Sequence, residues 1–261
     1  MQPIKKYPRT PHIEGSRLQV GDEDLSQISF KEIKNKFIVI EEKVDGANCA
    51  ISFSEENELL LQSRGHYLTG GYRERHYNLL KQWALTPQDE LYNILGNRYI
   101  MYGEGLYAKH KIYYDNLPNY FLEFDIFDKQ NQVFLDTITR HEMLKNSPVK
   151  SVPVLSSGKF NSIKEVTNLL SNSNYISDNH VENLKSTVEK LNLNYEQILR
   201  ETDSSKLMEG LYIKVEENGI VVDRMKYVRY SFLQHAESIE SRWLDKAIIP
   251  NKLNKDIKEI L

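Results

Sequence analysis

Three strand-like runs follow one another from residue 37 with no helical stretch between them. FIVIEEKV (37–44) is closed by Asp45-Gly46, NCAISF (48–53) follows, and ELLLQSR (58–64) comes next. Two such runs around Asp-Gly predict a hairpin. Further strand-like runs are RYIMYGE (98–104), YFLEFDIFD (120–128), VFLD (133–136), MEGLYIKVE (208–216) and GIVVDRMKYVRY (219–230). Residues 73–95 carry a helical pattern through Leu79, Leu80, Trp83 and Leu91, interrupted near Pro87. Thr139 to Leu144 suits a helix start capped by Thr137 or Thr139. Residues 160–203 are polar and helix-biased, and 231–261 reads as one or two short helices around Pro250. Strands and helices do not alternate as βαβ units. The prediction is an α+β domain of antiparallel sheets with helices packed outside.

A chain of 261 residues fits one large domain, or one domain with a small appendage. No apolar run is long enough to span a bilayer, and the N-terminus lacks the apolar stretch of a signal peptide. One cysteine, Cys49, excludes an internal disulfide and reads as packing. A soluble, cytoplasmic protein with no membrane partner follows as the expectation. A formal net charge of −3 excludes coating of nucleic acid by bulk charge. A nucleic-acid enzyme of this balance needs its cations gathered locally. Such groups exist: Lys5, Lys6, Arg9 and Arg17; Arg64, His66, Arg73, Arg75 and His76; Lys109, His110 and Lys111; Arg224, Lys226 and Arg229. By themselves they describe any charged surface.

Lys43 ends an apolar strand beside a tight turn. Side chains alternate along a strand, so Phe37, Val39, Glu41 and Lys43 share one face. From that rigid base the amine can reach into a cleft. A solvated lysine flanking a hairpin is the commoner case for any single lysine.

KVDGAN (43–48) is followed, in order, by MYGEGL (101–106), FLEFDIFD (121–128), EGLYIK (209–214) and DRMKYVR (223–229). Together these resemble motifs I, III, IIIa, IV and V of the covalent nucleotidyltransferases, the superfamily of DNA ligases, RNA ligases and mRNA capping enzymes. Asn48 stands where RNA ligases resembling phage RNA ligase 2 have Asn and where DNA ligases and capping enzymes usually have Arg. LQSRGHYLTGG (61–71) is also similar to RNA ligases. The stretches PRTPHIEGSR (8–17) and WLDKAIIPN (243–251) resemble a group of compact bacterial RNA ligases.

The resemblance implies a nucleotidyltransferase, ATP-grasp-like domain over 1–230, with a helical insert at about 160–205. Residues 231–261 would form a short helical extension, too short for an OB-fold. It implies an ATP-dependent RNA ligase that joins a 3′-hydroxyl to a 5′-phosphate through a lysyl-AMP intermediate and an adenylylated RNA 5′ end. Magnesium, or manganese, would assist. The partners implied are RNA ends, ATP and an end-healing kinase or phosphatase. Alternatives are a minimal ATP-dependent DNA ligase, which the Asn48 choice argues against, and a nucleotide- and RNA-binding module without turnover.

The implied catalytic residues are Lys43, Glu104, Glu209 and Lys226. Glu104 and Glu209 are the implied metal carboxylates, since magnesium prefers oxygen. The implied ATP-binding residues add Asn48, Arg64, Phe121, Lys214 and Arg224. Along FLEFDIFD, alternation turns Phe121 toward a cleft, to stack on adenine, and leaves Phe124 in the core; both rings in the core is the other reading. Motif V usually presents two lysines one residue apart. Arg224 and Lys226 fit that spacing, with Lys226 as the first lysine in an alternative register. His12, Arg17, His66, Lys109 and His110 are weaker candidates with no firm role.

Overall fold

The computed structural model describes residues 3–18, 22, 26–232 and 247–259. The strands are β1 (Ile38–Lys43), β2 (Ala47–Phe53), β3 (Leu59–Ser63), β4 (Tyr99–Gly105), β5 (Phe121–Asp128), β6 (Val133–Leu135), β7 (Lys150–Ser151), β8 (Val154–Gly158), β9 (Gly210–Glu217) and β10 (Ile220–Val228). The helices are α1 (Asn78–Leu85), α2 (Gln88–Leu95), α3 (Thr137–Leu144), α4 (Ile163–Thr167), α5 (His180–Lys190) and α6 (Tyr195–Arg200). The α+β class is as the strand runs imply, with the strands in the order β3-β2-β4-β5-β6-β10-β9-β1-β8 and β7 lying parallel on β5. No helix among the described residues is long and apolar enough to cross a membrane.

The predicted hairpin at Asp45-Gly46 does not form. β1 pairs with β8 and β9, whereas β2 pairs with β3 and β4. The Asp-Gly step instead carries the chain from one half of the sheet to the other. The reason is tertiary. The Asp45 carboxylate accepts from the backbone N–H of Lys111 at 2.7 Å and of Ile112 at 2.8 Å, and Asp45 N–H donates to the Tyr114 hydroxyl at 2.9 Å. Both sides of the aspartate are committed to the 106–120 loop.

The two halves, β3-β2-β4-β5 and β10-β9-β1-β8, are joined through the short β6. It pairs only with the far ends of β5 and β10, through Phe127↔Phe134 and Ile220↔Leu135. Each half has its own apolar core. One gathers Ile51, Phe53, Leu80, Trp83, Leu91, Met101 and Phe121 under α1 and α2. The other gathers Ile38, Ile40, Val166, Leu211, Ile213, Val215 and Met225 under α4. Cys49 is fully buried in the first, as read from the sequence. The helical pattern of 73–95 resolves into a 3-10 turn (Tyr72–Tyr77), α1 and α2, broken at Pro87. The α3 cap is Asp136, which accepts from Thr139 N–H at 2.9 Å, and neither threonine holds that place. Thr137 is occupied elsewhere, donating its N–H and hydroxyl to Glu216 at 2.9 and 2.6 Å.

Helices α4–α6 occupy the polar stretch after β8. Helix α5 docks on the 106–120 loop through Asp115, which accepts from Ser177 N–H and Asn183 Nδ2, each at 2.7 Å. Residues 247–254 cross the same loop. Asn251 Nδ2 donates to Leu106 O at 2.8 Å, Asn251 Oδ1 accepts from Tyr114 N–H at 2.9 Å, and Lys109 N–H donates to Ile249 O at 2.8 Å. The predicted C-terminal helices fall largely on 233–246, outside the described residues, as does the first part of WLDKAIIPN.

Candidate active site

A cavity of about 370 Å³ lies between the two halves of the sheet. Lys43, Asn48, Arg64, Glu104 and Lys226 line it, together with Tyr7, Thr10, Tyr77, His110, Phe124, Val152 and Tyr212. Five of the predicted site residues thus meet in one space, although they come from different strands and loops. Glu209 adjoins it as the partner of Lys43, whose Nζ donates to Glu209 Oε2 at 2.7 Å. Register brings this about: Lys43 opposes Gly210 on β9, and Asn48 on β2 opposes Glu104 on β4. Gly210 must be glycine, because a Cβ there would lie 1.9 Å from Tyr227 O. The close approach of β9 to β10 sets Glu209 beneath the lysine.

Three carboxylates surround the amine. Burial pulls the Lys43 ammonium down, but Glu209, Glu104 and Asp45 outweigh it and hold the pKa above the ordinary lysine value. Burial, with Glu209 and Asp45 nearby, pushes Glu104 up to about 8 despite Lys43. The Glu209 carboxyl is raised for the same first reason. Lys226 is held below the usual lysine range, by burial first and also by the charge on Lys43. As it stands, Lys43 is protonated and paired, and cannot act as a nucleophile.

An excess of buried carboxylate beside one ammonium suits a divalent cation. Among the described residues no group of three or more His, Cys, Asp or Glu is arranged to hold a metal ion. Magnesium needs no such cage, since it keeps several waters and takes one or two carboxylates with phosphate oxygens. Glu104 and Glu209 therefore fit as its protein ligands.

Three of the expected ATP-binding residues, Phe121, Lys214 and Arg224, lie outside the cavity lining. Phe121 is only 1% exposed and stacks on Trp83 at 5.6 Å, outside the cavity. Phe124 lines the cavity instead, edge-on to Tyr7 at 5.1 Å. The register of β4 with β5 shifts between Tyr102 and Gly103, which oppose Asp125 and Glu123. Phe124 is the extra residue of a bulge, and a bulge breaks the alternation on which the facing was read. Gly103 accommodates the Phe121 ring, for a Cβ there would meet it at 2.5 Å.

Lys214 and Arg224 do not reach the cavity wall either. Lys214 Nζ, fully buried, lies 2.7 Å from Glu41 and 3.1 Å from Asp125. Arg224 lies 3.6 Å from Asp125 and covers the Phe134 ring at 3.7 Å. Arg140 closes the array, 2.5 Å from both Glu41 and Glu123. Each of these cations is neutralised by a buried acid, so it forms the floor beneath the cavity. Lys226 is the motif V cation that lines the space.

Among the weaker candidates, His110 lines the cavity and is held at about 4, chiefly by burial. Lys109 Nζ donates to His110 O at 3.0 Å. His12, fully buried, sits next to Lys226 in a backbone bridge. Arg17 stacks over Tyr230 at 4.6 Å, and His66 contacts Ser63 Oγ at 2.9 Å. Sequence reasoning missed Tyr7, Thr10 and Tyr212, whose hydroxyls join at 2.7 and 2.8 Å. The first two lie in a segment without periodicity. Asp125 had a signal, as an acid inside an apolar strand.

A family model described as RNA ligase matches residues 36–228. No curated protein matches the chain. Among solved structures, Naegleria gruberi RNA ligase with PPi is similar at a TM-score of 0.57 and 18% identity, over 90% of this chain and 59% of that one. A variant of that ligase with ATP and Mn gives 0.54 and 17%, over 88% and 58%. Another variant, with AMP and Mn, gives 0.55 and 15%, over 90% and 59%. The chain spans about three-fifths of the length of these structures. At such identity the likeness establishes the shared fold.

Proposed function

From its membership of the RNA ligase family, to which this chain belongs, we propose that it is an ATP-dependent enzyme that seals RNA ends through Lys43. The observation that carries this is the Lys43 amine at the end of β1, inside the inter-sheet cavity, between Glu209 and Glu104 and facing Lys226. The catalytic unit spans 1–230, with α4–α6 as its insert.

The reaction has three phosphoryl transfers, so positioning and charge do most of the work. Lys43 Nζ attacks the α-phosphorus of ATP. A phosphorus–nitrogen bond forms and pyrophosphate leaves with the electrons of the broken anhydride. An oxygen of the RNA 5′-phosphate then takes the AMP, releasing Lys43 and leaving a 5′–5′ pyrophosphate. The 3′-hydroxyl attacks the 5′-phosphorus, giving the phosphodiester and AMP.

The amine must lose a proton first, and Glu209 Oε2 at 2.7 Å is the acceptor in reach. A magnesium or manganese ion held by Glu104 and Glu209 would cancel the negative charge that keeps Lys43 protonated and part of the charge on the triphosphate. That a related ligase was solved with ATP and Mn supports this choice. Phe124, Val44 and Val152 offer the adenine an apolar slot with an aromatic face. Lys226, Arg64 and Asn48 are placed for phosphate and ribose oxygens. RNA with a 5′-phosphate and a 3′-hydroxyl is the substrate, so an end-healing kinase or phosphatase would act before this enzyme where ends are damaged.

The test is labelling with α-³²P ATP and magnesium, read on a denaturing gel. Wild type retains label and Lys43→Ala does not. Equal labelling of the two would remove Lys43 from the chemistry.

A further inference from the structure

Three hydroxyls in the cavity wall stand in line with one buried carboxylate. The Tyr7 hydroxyl bonds Asp125 Oδ2, the Tyr212 hydroxyl lies 2.7 Å from that of Tyr7, and Thr10 Oγ1 lies 2.8 Å from that of Tyr212. Tyr7, Thr10 and Tyr212 all line the cavity, and Asp125 is fully buried. The N-terminal segment, β5 and β9 each contribute to the line.

The direction of every hydrogen bond in it follows from the carboxylate. Burial raises the Asp125 pKa, but Lys214, Arg224 and Arg140 outweigh it and hold the group below its ordinary value. An ionised carboxylate only accepts, and each hydroxyl has one hydrogen to give. Tyr7 therefore spends its hydrogen on Asp125 and must accept from Tyr212. Tyr212 spends its own on Tyr7 and must accept from Thr10. Thr10 spends its own on Tyr212, and Oγ1 is left with lone pairs alone. The charged floor beneath the cavity thus sets the polarity of an oxygen in its wall.

A wall oxygen that can only accept selects among the groups a substrate brings. A phosphate oxygen would set acceptor against acceptor, whereas a sugar hydroxyl has a hydrogen to offer. The surroundings agree. Tyr212 opposes Lys226 across β9 and β10, and its ring lies 6.2 Å from that of Phe124. A cation and an aromatic face flank the hydroxyls, as a phosphate and a base flank a sugar. We propose that Thr10 is a specificity-determining residue whose Oγ1 accepts from a ribose hydroxyl of the substrate, so that this cavity favours ribose over deoxyribose. Tyr7 and Tyr212 act through Thr10 as positioning residues.

This deepens the ligase reading and rests on it in one respect, that ribose-bearing substrates enter this cavity. Two sources share the chemistry: the sugar of the nucleotide and the sugar at the RNA 3′ end. Calorimetric titration of the full chain with AMP, 2′-deoxy-AMP and 3′-deoxy-AMP addresses the first. Titration with oligoribonucleotides of one sequence, ending 3′ in ribose or in 2′-deoxyribose, addresses the second. One neutral hydrogen bond corresponds to a preference of about fivefold.

A preference for AMP over either deoxy form that Thr10→Val abolishes assigns the contact to the nucleotide. A preference for the ribose-ended strand that Thr10→Val abolishes assigns it to the RNA end. No preference in wild type, or one that Thr10→Val retains, overturns the proposal. Thr10→Ala serves if the valine variant does not fold, and Thr10→Ser must keep the preference. Tyr7→Phe checks the polarity independently. Tyr212 can then donate to Thr10, which regains a hydrogen, so the preference must shrink with Thr10 untouched; an unchanged preference also overturns the proposal. Lys43 labelling is read beside the titrations. Its absence in wild type, with the sugar preference intact, would sink the ligase reading and leave the role of Thr10 standing.

Discussion

Phe121 and Phe124 are alike in residue type and stand three positions apart on one strand, yet they do different work. Phe121 fills the core beside Trp83, and its ring lies where a side chain at residue 103 would go. Phe124 meets the cavity with Tyr7 and Tyr212. Phe124→Ala is therefore expected to raise the KM for ATP in the labelling reaction about tenfold while changing thermal stability little. The scale is one lost aromatic stacking partner. Phe121→Ala is expected to cost about 3–5 kcal/mol of stability, as for other buried Phe→Ala changes. Urea titration of both variants beside ATP dependence of labelling checks this, and the opposite split would restore the sequence reading. Strict alternation misassigned these rings because a bulge leaves no periodic trace in residue type.

At the scale of elements, the 106–120 loop holds the site's geometry. Asp45 binds it from the Lys43 side, Asp115 ties it to α5, and Asn251 pins it from the far end of the chain. Asn251 is only 1% exposed and uses both ends of its amide on this loop. Asn251→Ala leaves a buried N–H and a buried carbonyl without their partner, each worth about 1–3 kcal/mol. The expected result is a loss of about 2–4 kcal/mol. It should come with weaker Lys43 labelling, because His110 and the Asp45 contacts ride on the loop. Chemical denaturation and labelling of the same protein read both. Normal stability would show that the 247–254 strap is not a structural support. Eight of the ten strands were legible in the sequence to within a residue or two, and β7 and β8 were not. The pairing of β1 was not, since a hairpin and a crossover use the same Asp-Gly signal.

The whole molecule is two half-sheets closed around buried charge, and that charge has a pH signature. Glu104 is held at about 8 and Glu42 at about 7, both chiefly by burial. Between the unfolded carboxylate value, near ~4.3, and these values, the native state binds protons that the unfolded chain has released. Stability then falls as pH rises through that range. His76 and His110, held at about 4 by burial, act with the opposite sign below the ordinary histidine value near ~6.5. Above it the acids act alone. The metal-free protein should therefore lose thermal stability from pH 6.5 to about 8.5, and Glu104→Gln should flatten much of that slope. A pH series of melting temperatures in chelator decides the matter, a flat wild-type profile being the adverse result. Beneath the cavity Arg140, Lys214 and Arg224 face Glu123, Glu41 and Asp125, an array near neutral in sum. Such arrays lend little net stability but are costly to break, at about 3–5 kcal/mol per lost partner.

The sequence by itself determined the class of fold and most of the residues that meet in the cavity, Lys43, Asn48, Arg64, Glu104 and Lys226, with Glu209 beside them. Those depend on local strand patterning and on residues whose order along the chain survives folding. Tertiary structure alone decided which aromatic ring faces the cavity, that Lys214 and Arg224 lie in the floor, and that Tyr7 and Thr10 complete the wall. Each of those outcomes depends on a bulge, a buried counter-charge or a contact between segments far apart in sequence. None of these is encoded in the spacing of neighbouring residues.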